Sequence, residues 1–326
     1  MKPLQVLVTG FEPFGQSKTN SSQLVVEQLE KLEFPSMMNL EFKILPVTQH
    51  GAKSTRLRME QGEQFDLVLH LGLCETCDEI RIETRATDSL LMRIPDNEGR
   101  QILNDVIDGK GTIYSDLPLH RVLEQDQHLV ESIDAGSFVC NETFRQTLLG
   151  FEEQDLKKHC AFIHLPSEHV HSVEQLTFRT FQIIKTLVDA LNVKTIPVAA
   201  LALLSNSGEC FAAYRTEATI AGWEFPGGKV EKGETILQAI ERECKEELNL
   251  EVIPQKTLGR WDYLIKGKWY SLYLVESLLN ENALTRIELR EHLEVIWVPQ
   301  EEIDQIDWLP HDRDMARYLS RIIPNP

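Results

Sequence analysis

Residues 136–166 read GSFVCNETFRQTLLGFEEQDLKKHCAFIHLP. GSFV (136–139) and CAFIHL (160–165) are short, β-rich apolar runs, and the segment 141–151 between them is a helix candidate. A strand, a helix and a strand in succession imply parallel strands with the helix crossing one face of their sheet. The same alternation extends outward. Strands are predicted at 4–8, 42–47, 65–73 and 79–83, and helices at 22–32, 51–61, 119–133 and 172–191. Val25, Leu29 and Leu32 keep i, i+4, i+7 spacing in the first of those helices. The expected fold over residues 1–192 is α/β, an open, mostly parallel sheet in an α/β/α arrangement. Sites in such sheets lie beyond the carboxyl ends of the strands.

The texture changes after Leu191. VAALALLS and CFAAYR flank the turn NSGE and are expected to pair as a β-hairpin. A Gly- and Pro-rich loop follows (AGWEFPGGKVEKGE, 221–234), then a strongly charged helix at 235–248. Further strands are expected near 261–265, 269–276 and 293–298, with a last helix at 313–321. This is a second, α+β domain over 193–326, with no internal repeat relating it to the first. A length of 326 residues fits two domains.

Composition narrows the function classes. A net charge of −18 repels phosphate backbones and anionic lipid, so neither a nucleic acid polymer nor a membrane is an expected partner. The longest apolar run, 196–204, falls short of the ~20 residues that span a bilayer. The first residues lack the length of a signal-peptide core, so the protein is expected to be cytoplasmic. Six thinly spread cysteines are expected to be thiols, and Cys74 with Cys77 forms a lone CxxC, a weak sign of metal or redox work.

Two groups of residues carry chemistry. On the charged helix, Glu243, Glu246 and Glu247 stand at i, i+3 and i+4, which puts three carboxylates on one face. A divalent cation with oxygen ligands relieves their repulsion, and Mg²⁺ held this way fills its other positions with water and substrate phosphates. The bland alternative is a solvated acidic face. In the first domain, Cys140 opens a helix, where a thiolate is electrostatically favoured, and His164 ends a neighbouring strand. A histidine there can serve as base to the thiol and acid to a leaving amine, and Glu83, at the end of another strand, can orient it.

The second domain resembles the Nudix hydrolases. Their box appears here as Gly228, Glu234, Arg242, Glu243, Cys244, Lys245, Glu246, Glu247, Leu248, Asn249 and Leu250. Cys244 replaces an aliphatic residue, and Asn249 replaces a glycine at a left-handed helix end. The resemblance implies Mg²⁺, with Mn²⁺ as an alternative, bound by Glu243, Glu246, Glu247 and the carbonyl of Gly227. It implies a base among the box glutamates or at Glu291, and water attack on a nucleotide substrate, a nucleoside triphosphate or related diphosphate. WEFPGGKVE, Arg215 and WLPHDRD are similar to the MutT-like branch, in which Asp312 occupies the place of a base-reading residue. Asp312 also fits the N-cap of the last helix.

Residues 1–191 resemble pyroglutamyl peptidase I, the pyrrolidone carboxyl peptidases, through VLVTGFEPFG, RIPDNEG, AGSFVCN and FIHLP in family order. The resemblance implies Cys140 as nucleophile, His164 as acid and base, and Glu83 as third member, acting on a small peptide with an N-terminal pyroglutamate. Phe11 and Phe14 match the rings that sandwich the lactam, with Ile94 near them, and Arg93 matches an arginine near the site. Departures cluster at GLCETC (72–77), where Leu73 replaces a glutamine, and at Thr84 and Glu142. The expected function is a bifunctional hydrolase. The alternatives are a Nudix hydrolase whose first domain is a scaffold or oligomerisation module, since the resemblance admits a homo-oligomer, and a nucleotide-sensing regulator.

Overall fold

The computed structural model describes residues 2–205, 207–217, 220–279 and 287–323. The chain divides into two compact units, Met1–Asn192 and Val193–Pro326.

The strands of the first unit are β1 (Leu4–Phe11), β2 (Met38–Leu45), β3 (Leu67–Cys74), β4 (Ile80–Glu83), β5 (Arg85–Ala86), β6 (Ile113–Tyr114), β7 (Leu129–Ser132) and β8 (Cys160–Pro166). Its helices are α1 (Ser21–Leu29), α2 (Gln49–Glu60), α3 (His120–Leu123), α4 (Val139–Glu153) and α5 (Val173–Asn192). Six strands form one sheet in the order β2-β1-β3-β8-β4-β7, and every neighbouring pair is parallel except β4 with β8. Alternate residues of each central strand enter different cores. Val6, Val8, Leu69 and Ile163 pack with Val25 and Leu29 of α1 and Leu176, Ile184 and Leu187 of α5. Leu7, Val68 and Phe162 pack with Ala52 and Met59 of α2 and Phe144 and Leu148 of α4. Burial on both faces is why these strands read as unbroken apolar runs, and the unit is the expected α/β/α sandwich.

Two sequence expectations are corrected here. GSFV is not a strand: Gly136 sits at a positive φ of 76°, its N–H donates to Asp134 Oδ1, and Phe138 is already the N-cap of α4. The apolar Phe138 and Val139 pack into the α2/α4 core from a turn, which a four-residue window cannot tell from a strand. The helix expected at 119–133 is only α3, because Leu129–Ser132 pairs in parallel with Ile80–Glu83 as an edge strand. Sheet pairing overrides local helical preference there.

The second unit contains β9 (Thr195–Leu203), β10 (Cys210–Glu217), β11 (Ile220–Glu224), β12 (Gly227–Lys229), α6 (Ile236–Leu248), β13 (Val252–Ile265), β14 (Lys268–Leu279), β15 (His292–Val298) and α7 (Asp312–Ile322). They form two sheets, β12-β9-β14-β13 and β11-β10-β15. The expected β9/β10 hairpin does not form: the two strands join different sheets and share an isolated bridge between Leu204 and Cys210. β9 instead pairs in parallel with β14 and antiparallel with β12, and its second half, residues 199–203, is buried. α6 starts on a capping box between Thr235 and Gln238 and ends at Asn249, whose φ of 51° is the left-handed end expected of it. Ala239, Ile240, Cys244 and Leu248 pack its inner face into the core, so Cys244 serves as the small hydrophobe the position needs.

A further correction concerns the cysteines. Cys74 and Cys77 are joined as a disulfide, while Cys140, Cys160, Cys210 and Cys244 are free. Among the described residues, no helix is long and apolar enough to cross a membrane.

Candidate active sites

Cys140 is the second residue of α4, and its side chain hydrogen-bonds to His164 near the carboxyl end of β8. His164 Nδ1 donates to Glu83 Oε1 at 2.8 Å. Burial opposes the charged imidazole, but the hydrogen bonds and charges of Cys140 and Glu83 outweigh it and raise His164 to about 9. His164 therefore carries its proton through neutral pH. The direction of β4 decides how Glu83 reaches it. Since β4 runs antiparallel to β8, its last residue lies level with Phe162, two residues behind His164. The acid approaches from inside the sheet, fully buried, while the histidine stays at the rim. His70 on β3 has the opposite fate. Enclosed between Thr9 and Thr147, it is pushed down to about 3 by burial and stays neutral.

The nucleophile faces a small cavity lined by Phe11, Phe14, Asn20, Val47, Leu73, Phe138, Val139 and Cys140. Its volume of about 10 Å³ is room for roughly one water. Phe11 packs toward Phe162 and Phe14 toward Phe138, with centroids 6.2 and 5.8 Å apart. Gly72 lets β3 pass the site closely: a Cβ there would meet the Phe162 ring at 2.6 Å and Cys140 Sγ at 3.3 Å. Ile94 is exposed and lies over Gly15 of the TGFEPFG turn. Arg93 is exposed, and its carbonyl accepts from Gln101; no described contact brings its guanidinium to Cys140.

Two supporting residues, Asn141 and Arg100, escaped the sequence reading. Asn141, fully buried, accepts from Thr87 N–H and donates to the carbonyls of Thr87 and Ser89, fixing α4 to the loop after β5. Arg100 grips Glu142 with two bonds, of 3.0 and 2.6 Å, and Asp96 with a third of 2.9 Å. Glu142, two residues after the nucleophile, thereby anchors the RIPDNEGR loop to α4. A local signal existed in the proximity of Glu142 to Cys140, but its partner lies 42 residues away in sequence.

In the second unit, Glu243 and Glu246 both face Arg242, at 2.8 and 3.1 Å, and Arg242 also holds Glu234 and the carbonyl of Lys229. Glu247 turns inward, accepting from Arg215 at 3.1 Å and from Gly227 N–H at 3.2 Å. Burial, with Glu291 and Glu224 nearby, raises Glu247 to about 7 against the pull of His292 and Arg215. Arg215 is the hub here: it reaches Glu224 at 2.6 Å and Glu291 at 3.5 Å as well. Glu224 and His292, bonded at 2.8 Å, belong to this network and were not anticipated. Asp312 is not the N-cap of α7, a place held by His311. Its carboxylate accepts from Phe225 N–H instead, and burial raises it to about 8.

Among the described residues, no three His, Cys, Asp or Glu side chains are drawn together as a ligand set, and the glutamates are paired with Arg242 and Arg215 instead. The chemistry of the donors nonetheless fits a hard divalent cation, being all carboxylate and carbonyl oxygen. Gly228 completes the cradle, since a Cβ there would lie 2.3 Å from Glu243 Oε1.

A mostly parallel sheet with a thiol at a helix start, a histidine beside it and a buried acid behind the histidine fits a cysteine hydrolase, and the glutamate helix fits a second hydrolase of the Nudix type. The chain belongs to the pyroglutamyl peptidase family, whose family model matches residues 4–200, and the NUDIX domain model matches residues 194–319. Both are hydrolase families. The pyrrolidone-carboxylate peptidase of Pyrococcus furiosus is 31% identical over 169 residues, covering 50% of this chain and 81% of that protein. That of Fusobacterium nucleatum is 32% identical over 170 residues, covering 50% and 78%. Among solved structures, a variant of the Pyrococcus furiosus pyrrolidone carboxyl peptidase superposes with a TM-score of 0.54 at 25% identity, over 58% of this chain and 100% of that one. The Fervidobacterium islandicum enzyme gives 0.53 at 28% identity, over 57% and 99%.

Proposed function

We propose that the protein is a bifunctional cytoplasmic hydrolase with a functional boundary at 192/193. Its first domain removes an N-terminal pyroglutamyl group from small peptides, and its second hydrolyses a nucleoside triphosphate or related diphosphate. The hydrogen-bonded chain Cys140–His164–Glu83 is the observation that carries the first activity. The Cys140 thiolate attacks the pyroglutamyl carbonyl, and the amide N–H groups at the start of α4 stabilise the oxyanion, a role better suited to them than to the exposed Arg93. His164 donates its proton to the leaving amine, and a thioester remains on Cys140. His164 then takes a proton from water, which attacks the thioester and frees pyroglutamate and the thiol. Glu83 keeps the imidazole oriented throughout. Phe11 and Phe14 hold the flat lactam, with Ile94 at the entrance.

In the second domain Glu243, Glu246, Glu247 and the carbonyl of Gly227 would hold Mg²⁺ or Mn²⁺, which supplies Lewis-acid activation of a phosphate and its water. Arg242 orients Glu243 and Glu246. Arg215 orients Glu247 and Glu291, of which Glu291, more than half exposed, is free to act as base or to reach the cation. Asp312, protonated near neutrality, both donates and accepts, and so reads a base edge that presents one donor and one acceptor.

The narrow cavity favours one other reading, in which the first domain is a scaffold or self-associating module and only the Nudix site turns over. Hydrolysis of a fluorogenic pyroglutamyl amide by the full chain decides it. Turnover lost in Cys140→Ala is expected; no turnover in either leaves the scaffold reading standing.

A further inference from the structure

The turn between β3 and β4 carries a chemistry that neither hydrolase uses. Cys74 and Cys77 are bonded there, with their Cα atoms 5.4 Å apart. Cys77 is buried and Cys74 is half-buried, so Cys74 is the more accessible end of the bond. The bonded turn touches the peptidase pocket from three directions. On its upstream side, Leu73 lines the cavity beside Cys140, and Gly72 lies against the nucleophile. Laterally, Glu75 Oε1 accepts from Ser17 Oγ at 3.0 Å, which ties the turn to the loop carrying Phe14. Downstream, β4 starts at Ile80 and ends at Glu83, the acid behind His164. With the disulfide closed, the cavity is small, with room for about one water, and Leu73 forms part of its wall.

We propose that Cys74 and Cys77 are a thiol–disulfide exchange site, acted on by a dithiol–disulfide couple, that governs entry to the Cys140 pocket; this rests on the peptidase reading above. In the exchange, a thiolate of an external dithiol attacks Cys74 Sγ, and Cys77 leaves as a thiolate and takes a proton from water. The second thiol of the reductant, as thiolate, attacks its own partner sulfur in the mixed disulfide and releases Cys74. Two electrons pass from the dithiol to the protein pair, and the reverse reaction closes it again. Reduction frees the wall bearing Leu73 and opens the pocket. In a reducing compartment, a disulfide of this kind is transient and reports the redox state.

The test uses the full chain equilibrated with dithiothreitol and its disulfide at set ratios, with each cysteine's state read by mass spectrometry after alkylation. Reduction of the pair is expected to lower KM for a pyroglutamyl amide roughly threefold or more, whereas oxidation of Cys140 itself removes active sites and lowers kcat alone. The double variant Cys74→Ser with Cys77→Ser should show the low KM at every ratio. A KM in the unsubstituted chain that ignores the state of the pair overturns the proposal, whether or not the variant folds. Absence of any turnover would sink the peptidase reading separately, and the iodoacetamide alkylation rate of Cys140 then decides. A rate that rises on reduction supports the exchange site, and an unchanged rate overturns it.

Discussion

The two candidate sites solve opposite electrostatic problems. In the first unit, the positive charge sits between two acids: a protonated His164 lies between Glu83 and Cys140, and the protein itself supplies every group of the site. In the second, Glu224, Glu234, Glu243, Glu246, Glu247 and Glu291 gather around two arginines, and burial leaves Glu247 near 7. A catalyst built from a thiol can be complete in the protein alone. A catalyst for anionic phosphate leaves negative charge in excess, which a divalent cation then balances.

That contrast can be broken most sharply by exchanging one carboxylate in each site. Glu246→Gln is expected to lower Mg²⁺-dependent phosphate release about a hundredfold or more while pyroglutamyl amide hydrolysis holds, since each unit has its own core. Equal losses in both assays would mean that the sites are not separate. Glu83→Gln is expected to cost kcat for the amide about a hundredfold, because the amide keeps the contact to His164 but not the charge. The same substitution tests the sign of the titration. A raised His164 stabilises the fold fully below about 6.5 and ceases to do so above about 9, so the stability gap between the native chain and Glu83→Gln should narrow as pH rises through that window. Urea unfolding at a series of pH values reads it, and a gap that widens with pH would contradict the assignment.

Smaller effects sharpen the comparison in stability. Arg100→Ala strands the buried carboxylates of Asp96 and Glu142 and is expected to destabilise the first unit by about 3 kcal/mol. Calorimetry should show one transition shifted and the other unmoved. Asn249→Gly relieves the left-handed φ at the end of α6 and is expected to stabilise the second unit by about 0.5 kcal/mol, visible as a slightly higher midpoint.

Much of both sites was legible because their chemistry is written in local spacing. Glu243, Glu246 and Glu247 share a helix face by periodicity, and Thr235 and Asn249 bracket that helix by their capping preferences. Cys140 and His164 were found at the start of a helix and near the end of a strand, positions that adjacent residues announce. The strand assigned to GSFV and the β9/β10 hairpin failed for a common reason. Short apolar runs show that a segment is buried without showing which partner buries it.

Sequence alone determined the two hydrolase classes, the α/β alternation and the helix face that Glu243, Glu246 and Glu247 share, since periodicity, capping and motif spacing act within a few residues. Tertiary structure alone decided the antiparallel β4 that brings Glu83 behind His164, and the Arg100–Glu142 anchor beneath the nucleophile. It also decided the arginine hubs of the glutamate site and the place of the Cys74–Cys77 turn on the pocket wall. Each of these depends on which distant strands and loops become neighbours, and that is set by the packing of whole sheet faces rather than by any local stretch of chain.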